Sequence, residues 1–207
     1  MLIIGSVPPQ IGGVSIHVER FLSLCNSKNY EYKFFDYKRE KIYKLISRLQ
    51  STHFFHAHPQ NPLFLLFLSI FSILFRKKMI FTYHGNFKPN YSIYSFIESL
   101  VIRSSYIPIM INLKSYNNAK KMNKKAVLFS AFIPPQKSES LLPEIFKKAN
   151  NVRRTTQMLF ATNAYDLVYD INGNEVYGIL DLVKIFNKIP HLGLIISDPS
   201  GSYCKFF

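Results

Sequence analysis

His56 and His58 stand two residues apart at the end of the strand-like run HFFHA, which sets both imidazoles on one face of an extended segment. Such a pair can begin a metal site, but a metal asks for three or four ligands with carboxylate support. The candidates nearest in sequence are His53 and His84, and no acidic residue lies between Glu40 and Glu98. The expectation is therefore no metal, with one of the pair packed in a crevice and making polar contacts. His84 and Gly85, in TYHGN, close a second strand-like run. An imidazole there can hydrogen-bond a bound hydroxyl or carbonyl, or be satisfied by local backbone. Gly12 and Gly13 precede a helical pattern, where close backbone approach and free N–H groups suit a phosphate or a sugar hydroxyl. Their spacing is neither G-x-G-x-x-G nor G-x-x-x-x-G-K-[ST], so a ligand loop and a plain tight turn both remain open. His17, one turn into that helix, is a further candidate; His191 is a weak one. No nucleophile elbow, paired carboxylate motif or CxxC occurs, which leaves covalent catalysis by a protein nucleophile without support.

The elements that must position these residues alternate. MLIIG is a short apolar run closed by glycine, followed by a Pro/Gly-rich loop and a helix from Ser15 with Val14, Val18, Phe21, Leu22 and Cys25 on one face. Strands are expected at 31–36, 53–57, 79–83, 106–112 and 126–130, with helices between them over 42–49, 63–75, 91–103 and a short basic stretch before Ala126. Strands alternating with helices imply parallel pairing and right-handed crossovers, so residues 1–130 read as a doubly wound parallel sheet, with ligands expected outside the strands' carboxyl ends. Residues 131–154 contain three prolines and no strand pattern, as a linker would. A second α/β start follows, with strands at 157–162 and 192–197 and a helix at 178–189. Two strands and a helix cannot bury a core alone, so this part reads as incomplete. The domains are thus 1–150 and 151–207.

The chain has 207 residues with 26 basic and 12 acidic side chains, and the whole excess of +14 falls in residues 1–150, which hold 21 basic and 7 acidic groups against 5 and 5 beyond. A localised excess points to an anionic partner, although an AT-rich coding sequence would impose the same Lys, Ile, Phe and Tyr bias. Nucleic acid is not expected. The lysines are scattered between acids such as Glu31, Asp36 and Glu40, and no binding motif occurs. The run Leu63–Phe75 is too short for a spanning helix, which needs about 20 residues. It reads as a buried helix or, with Arg76, Lys77 and Lys78 behind it, as one whose surface rests on a membrane. Cys25 and Cys204 make no disulfide framework and no secretory signal opens the chain, which favours the cytoplasm.

Taken in order, GSVPPQIGGVSIHVERFL, FFHAHPQNP, TYHGN, AFIPP, ATNAY and VYGILDLVKIF resemble bacterial glycosyltransferases of family 4, which have the GT-B architecture and build capsules, exopolysaccharides and lipopolysaccharide O-antigens. The resemblance implies a transferase whose N-terminal, Rossmann-like domain receives a lipid-linked or saccharide acceptor. Its C-terminal domain would hold a nucleotide-sugar as substrate, with no cofactor or required metal. Carried over by residue, Gly12 and Gly13 would face the donor diphosphate and the acceptor, and His84 would contact the transferred sugar as the catalytic position. His17, His58 and Gly85 are the accompanying substrate-binding positions. Front-face attack, with the leaving diphosphate assisting the acceptor hydroxyl, needs no protein nucleophile. The basic N-terminal part would then meet an anionic membrane surface as a peripheral protein on the inner face of the plasma membrane. The family pattern also expects two glutamates eight residues apart in a full second domain, whereas no acidic residue follows Asp198. A C-terminally shortened enzyme is the expectation. The alternative is a catalytically inactive remnant that at most binds an acceptor or a membrane.

Overall fold

The computed structural model describes residues 1–9, 12–89, 92–135, 142–164, 166–170 and 172–206. The chain divides into two compact units, residues 1–136 and 137–207. In the first, β1 (Leu2–Gly5), α1 (Gly13–Ser27), β2 (Lys33–Asp36), α2 (Ile42–Gln50), β3 (Phe54–Ala57), α3 (Pro62–Leu74), β4 (Lys78–Tyr83), α4 (Ile93–Ser104), β5 (Ile107–Met110), α5 (Leu113–Met122) and β6 (Val127–Leu128) alternate as expected. The strands form one parallel sheet in the order β2-β1-β3-β4-β5-β6.

Strand alternation divides the sheet into two unlike faces. Leu2, Ile4, Phe55, Ala57, Met79, Phe81 and Met110 point one way, into a continuous core with Leu45, Leu49, Leu65, Leu68, Val101 and Ile102 of α2–α4. Register places Ile3, His56, Ile80 and Ile107 side by side on the other face. Only the β1→β2 crossover runs in the opposite direction along the sheet, so with right-handed connections α1 lies alone on that second face. It sits close. A Cβ on Gly5 would be 2.8 Å from Cγ1 of Val18. Towards β6 that face is thinly covered, and Val127 and Phe129 are exposed.

In the second unit β7 (Met158–Asn163) pairs parallel with β8 (Leu192–Ser197), accompanied by α6 (Pro143–Thr155) and α7 (Ile179–Phe186). α6 lies largely within 131–154, the segment read from its prolines as a linker, and adds a helix that reading did not include. Proline at its first turn is compatible with a helix start, and Ile145, Ala149 and Val152 recur at helical spacing, although none of its residues is fully buried. It approaches β8 through a missing side chain, since a Cβ on Gly193 would be 2.8 Å from Cγ1 of Val152 and 2.9 Å from Oγ1 of Thr156. α7 begins after Gly178, whose φ of +67° favours glycine. The Glu175 carboxylate accepts hydrogen bonds from the N–H groups of Ile179 and Leu180 at 3.0 and 2.7 Å and from the Tyr203 hydroxyl at 2.7 Å. Ala164, Ile179 and Tyr203 are the buried centre of this unit. Among the described residues no helix is long and apolar enough to cross a membrane.

Candidate functional site

The carboxyl ends of β1, β3 and β4 and the start of α1 meet on the α1 face of the sheet. His56 lies on β3, and His58 follows it on the same face, with ring centroids 4.2 Å apart. Both are buried, His58 completely. His84 follows β4, and its Nε2 is 3.3 Å from Nδ1 of His58. α1 brings His17 over them, its ring 4.8 Å from that of His84 and 5.5 Å from that of His58. Phe21, one turn further along α1, stands edge-on to His56 at 5.2 Å. Four of the six histidines singled out from sequence, His17, His56, His58 and His84, thus share one crevice. His53 is exposed at the amino end of β3, and His191 belongs to the second unit.

Each imidazole is held by a specific partner or by burial. His17 Nδ1 lies 2.8 Å from the carbonyl oxygen of Ala131, and Arg20 donates to the Ile133 carbonyl at 3.0 Å, so α1 grips the AFIPP ribbon from above. His56 Nε2 lies 2.8 Å from Oγ1 of Thr82. Burial pushes the His56 pKa down to about 3, aided by repulsion from His17 and His84. His84 is pushed down to about 4 by burial and then by His17. Burial also holds His58 well below its ordinary value, with its three imidazole neighbours adding to the effect. No carboxylate enters any of these shifts, so His56, His58 and His84 are neutral near pH 7.

The glycines behave differently. Gly12 caps α1, and the Ser15 hydroxyl both accepts from the Gly12 N–H and donates to its carbonyl at 3.0 Å. A Cβ at Gly13 would meet nothing within 4 Å, and one at Gly12 only Ser15 Oγ at 3.9 Å. Among the described residues, internal packing does not call for glycine there. Gln10 and Ile11, in the same loop, lie outside the described residues. Gly85 is needed more directly, because a Cβ on it would be 3.2 Å from the Tyr83 ring. The Gly85 carbonyl accepts from Asn112 Nδ2 at 3.0 Å, a contact the sequence analysis missed. Asn112 follows β5 and caps α5. A polar residue closing a strand was the available signal. Tyr83 donates to Glu98 Oε1 at 2.9 Å, which turns that acid toward the protein.

Two cavities flank the first unit's sheet. One of about 300 Å³ runs beneath α1, lined by His17, Phe21, His56, Ile80, Thr82 and Ile109 among others. A wider cleft of about 750 Å³ opens at the amino ends of β1–β3, around Asn26, Tyr32, Lys33 and His53. The wider one gathers no cluster of interacting imidazoles. In open α/β sheets ligands favour the carboxyl edge, and the imidazoles are there.

Two solved structures of Anabaena HepE, one in complex with UDP-glucose and one with UDP and glucose, are similar to this chain over 99% of its length, at TM-score 0.62 and 11% identity. A third, in complex with UDP, matches 95% of it at TM-score 0.52 and 9% identity. The chain spans 63% and 62% of the first two proteins and 68% of the third. No family model matches the chain, and no curated protein matches it by sequence. At these identities the likeness is one of fold. The six-stranded parallel sheet is the Rossmann-like, GT-B type of first domain that the resemblance implied.

Proposed function

We propose that the chain transfers a sugar from a nucleotide-sugar to a lipid-linked or saccharide acceptor, as glycosyltransferases of surface-polysaccharide synthesis do. The observation that carries this is the convergence of His17, His58 and His84 beside the start of α1. The fold shared with a protein solved with UDP-glucose supports it. In this proposal the acceptor binds the first unit and the donor the second. Gly12, Gly13 and the helix start meet diphosphate oxygens, and Gly85, His17 and His58 shape the sugar's surroundings. A neutral His84 accepts a hydrogen bond from a hydroxyl of the transferred sugar. The anomeric carbon–oxygen bond to the diphosphate breaks, the acceptor oxygen bonds to that carbon, and the acceptor's proton passes to the departing diphosphate. The nucleotide-sugar is a substrate, and no cofactor enters these steps.

Incubating the purified chain with UDP-[14C]glucose and a bacterial glycolipid extract tests this. Labelled product is expected, with His84→Ala lowering its rate by about tenfold to a hundredfold, the loss of one to two kcal/mol-scale polar contacts to the reacting sugar. No transfer, with no protection of the second unit from proteolysis by UDP-sugars, would leave the inactive binding module as the better description.

A peripheral site of action on the cytoplasmic face of the membrane is part of the same proposal. α3 buries Leu65, Leu68 and Phe71 but exposes Leu63, Phe67, Ile70, Ile73 and Leu74, and the adjoining α4 exposes Ile93, Phe96 and Leu100. Contiguous apolar surface of this kind is uncommon on soluble monomers. Arg76, Lys77, Lys78 and Arg103 edge it, each worth about 1 kcal/mol near an anionic leaflet. The chain is expected to sediment with phosphatidylglycerol-containing vesicles and less with phosphatidylcholine ones. Ile73→Ser combined with Leu74→Ser should release it, and binding that ignores both lipid charge and these substitutions counts against the membrane.

A further inference from the structure

His17, His58 and His84 come from three separate segments and meet in one crevice. The 3.3 Å between His58 Nδ1 and His84 Nε2 is a hydrogen-bond distance. It is also the spacing of two nitrogen ligands on one tetrahedral ion, which at about 2.0–2.1 Å from the metal lie roughly 3.3–3.4 Å apart. The rings agree with the nitrogens. Imidazoles around such an ion have their centres about 3.2 Å from it, hence roughly 5.2 Å from each other. The three centroid separations here are 4.8, 5.5 and 5.6 Å. One candidate donor atom of each of the three side chains lies within 4.8 Å of the others.

The tautomer of His17 fits as well. A carbonyl can only accept, so the contact with Ala131 puts the hydrogen of His17 on Nδ1 and its lone pair on Nε2. Backbone carbonyls commonly orient metal-bound histidines in this way.

We propose that His17, His58 and His84 form a three-nitrogen site for a divalent transition-metal ion of the zinc class, with its fourth position open beside the start of α1. Imidazole donors without a carboxylate select zinc, cobalt, nickel or copper over magnesium, calcium or manganese. With neutral ligands the ion keeps its double charge, and an anionic oxygen is the natural fourth ligand. This runs against the metal-free expectation drawn from sequence, which counted His53 and not His17 among the neighbours. The site stands on its geometry and does not depend on the transfer activity.

The test uses the full chain stripped with a chelator and then dialysed free of it. Calorimetric titration with Zn²⁺ is expected to give one equivalent, and Co²⁺ to give the strong visible absorption of a tetrahedral site, while Mg²⁺ gives neither. His17→Ala, His58→Ala and His84→Ala should each weaken Zn²⁺ binding at least tenfold. His53→Ala and His191→Ala should leave it unchanged. His17→Ala removes a helix-borne side chain outside the main core; if the buried His58→Ala fails to fold by circular dichroism, His17→Ala and His84→Gln decide the matter alone. Absence of the Co²⁺ spectrum, a one-equivalent site that survives His17→Ala, or one that disappears with His53→Ala or His191→Ala would overturn the proposal. Because His17, His58 and His84 also line the proposed sugar site, metal binding is judged from the titration and the Co²⁺ spectrum alone, and transfer is read separately from labelled sugar with the unsubstituted chain, stripped and metal-loaded.

Discussion

Taking the metal-stripped protein from pH 7 to pH 4.5 is expected to destabilise the first unit by several kcal/mol. His56 titrates near 3 and His84 near 4 in the folded state, with His58 also far below its ordinary value. In the unfolded chain all three titrate near 6.5. Above pH 6.5 neither state binds these protons and stability is complete. As pH falls below 6.5 the unfolded chain takes up protons that the folded crevice refuses, and stability is lost until the folded pKa values are reached. Each imidazole contributes a slope of about 1.4 kcal/mol per pH unit in that window. Urea unfolding at half-unit steps of pH measures it. His56→Gln, which keeps a polar partner for Thr82, should flatten the acid limb by roughly one imidazole's share. His53→Gln, exposed, should not. A midpoint that stays constant from pH 6.5 to 4.5 would contradict the burial assigned to all three rings.

Gly5→Val should cost about 3 kcal/mol, the upper end for overpacking a close-packed interior. The β-carbon alone would lie 2.8 and 3.0 Å from the two γ-methyl carbons of Val18, and both residues are buried. α1 must lift, and His17 and Phe21 lift with it. A fall in melting temperature of roughly 10 °C is expected for a unit of this size. Gly5→Ala should cost less, and Val18→Ala in that background should recover part of the loss, a coupling that a double-mutant cycle reads directly. Additive costs would mean that helix and strand are not in contact there.

Much of this fold was legible because buried parallel strands are near-continuous apolar runs, as in LIIG and MIFTY, and the helices between them carry one apolar stripe. α6 was not read, since none of its side chains is fully buried, three prolines in 131–154 suggested a linker, and the close approach it makes uses the missing side chain of Gly193. The histidine pair at 56 and 58 and the turn at 84 stood out by position. Their meeting with His17 did not, because it depends on α1 crossing above β3 and β4, a consequence of strand order rather than of any local pattern. The Pro/Gly-rich loop drew attention to Gly12 and Gly13, yet the glycine that packing requires is Gly5, hidden as the last letter of an ordinary apolar run. The apolar segment 63–75 was read as either buried or surface-lying, and α3 does some of each.

The carbonyl that fixes His17 lies 114 residues along the chain from it. Closing so long a loop is entropically unrewarded until the intervening strands have docked, so the crevice is among the last parts of the first unit to assemble. A nascent chain can therefore secure its apolar layer beneath α2–α4 while its cluster of imidazoles is still open to solvent and to protons. Competence for binding would arrive abruptly, with the arrival of residues 126–133, and a pulse of hydrogen exchange during refolding should find the amides of β6 and of the ribbon after it protected later than those of β1, β3 and β4.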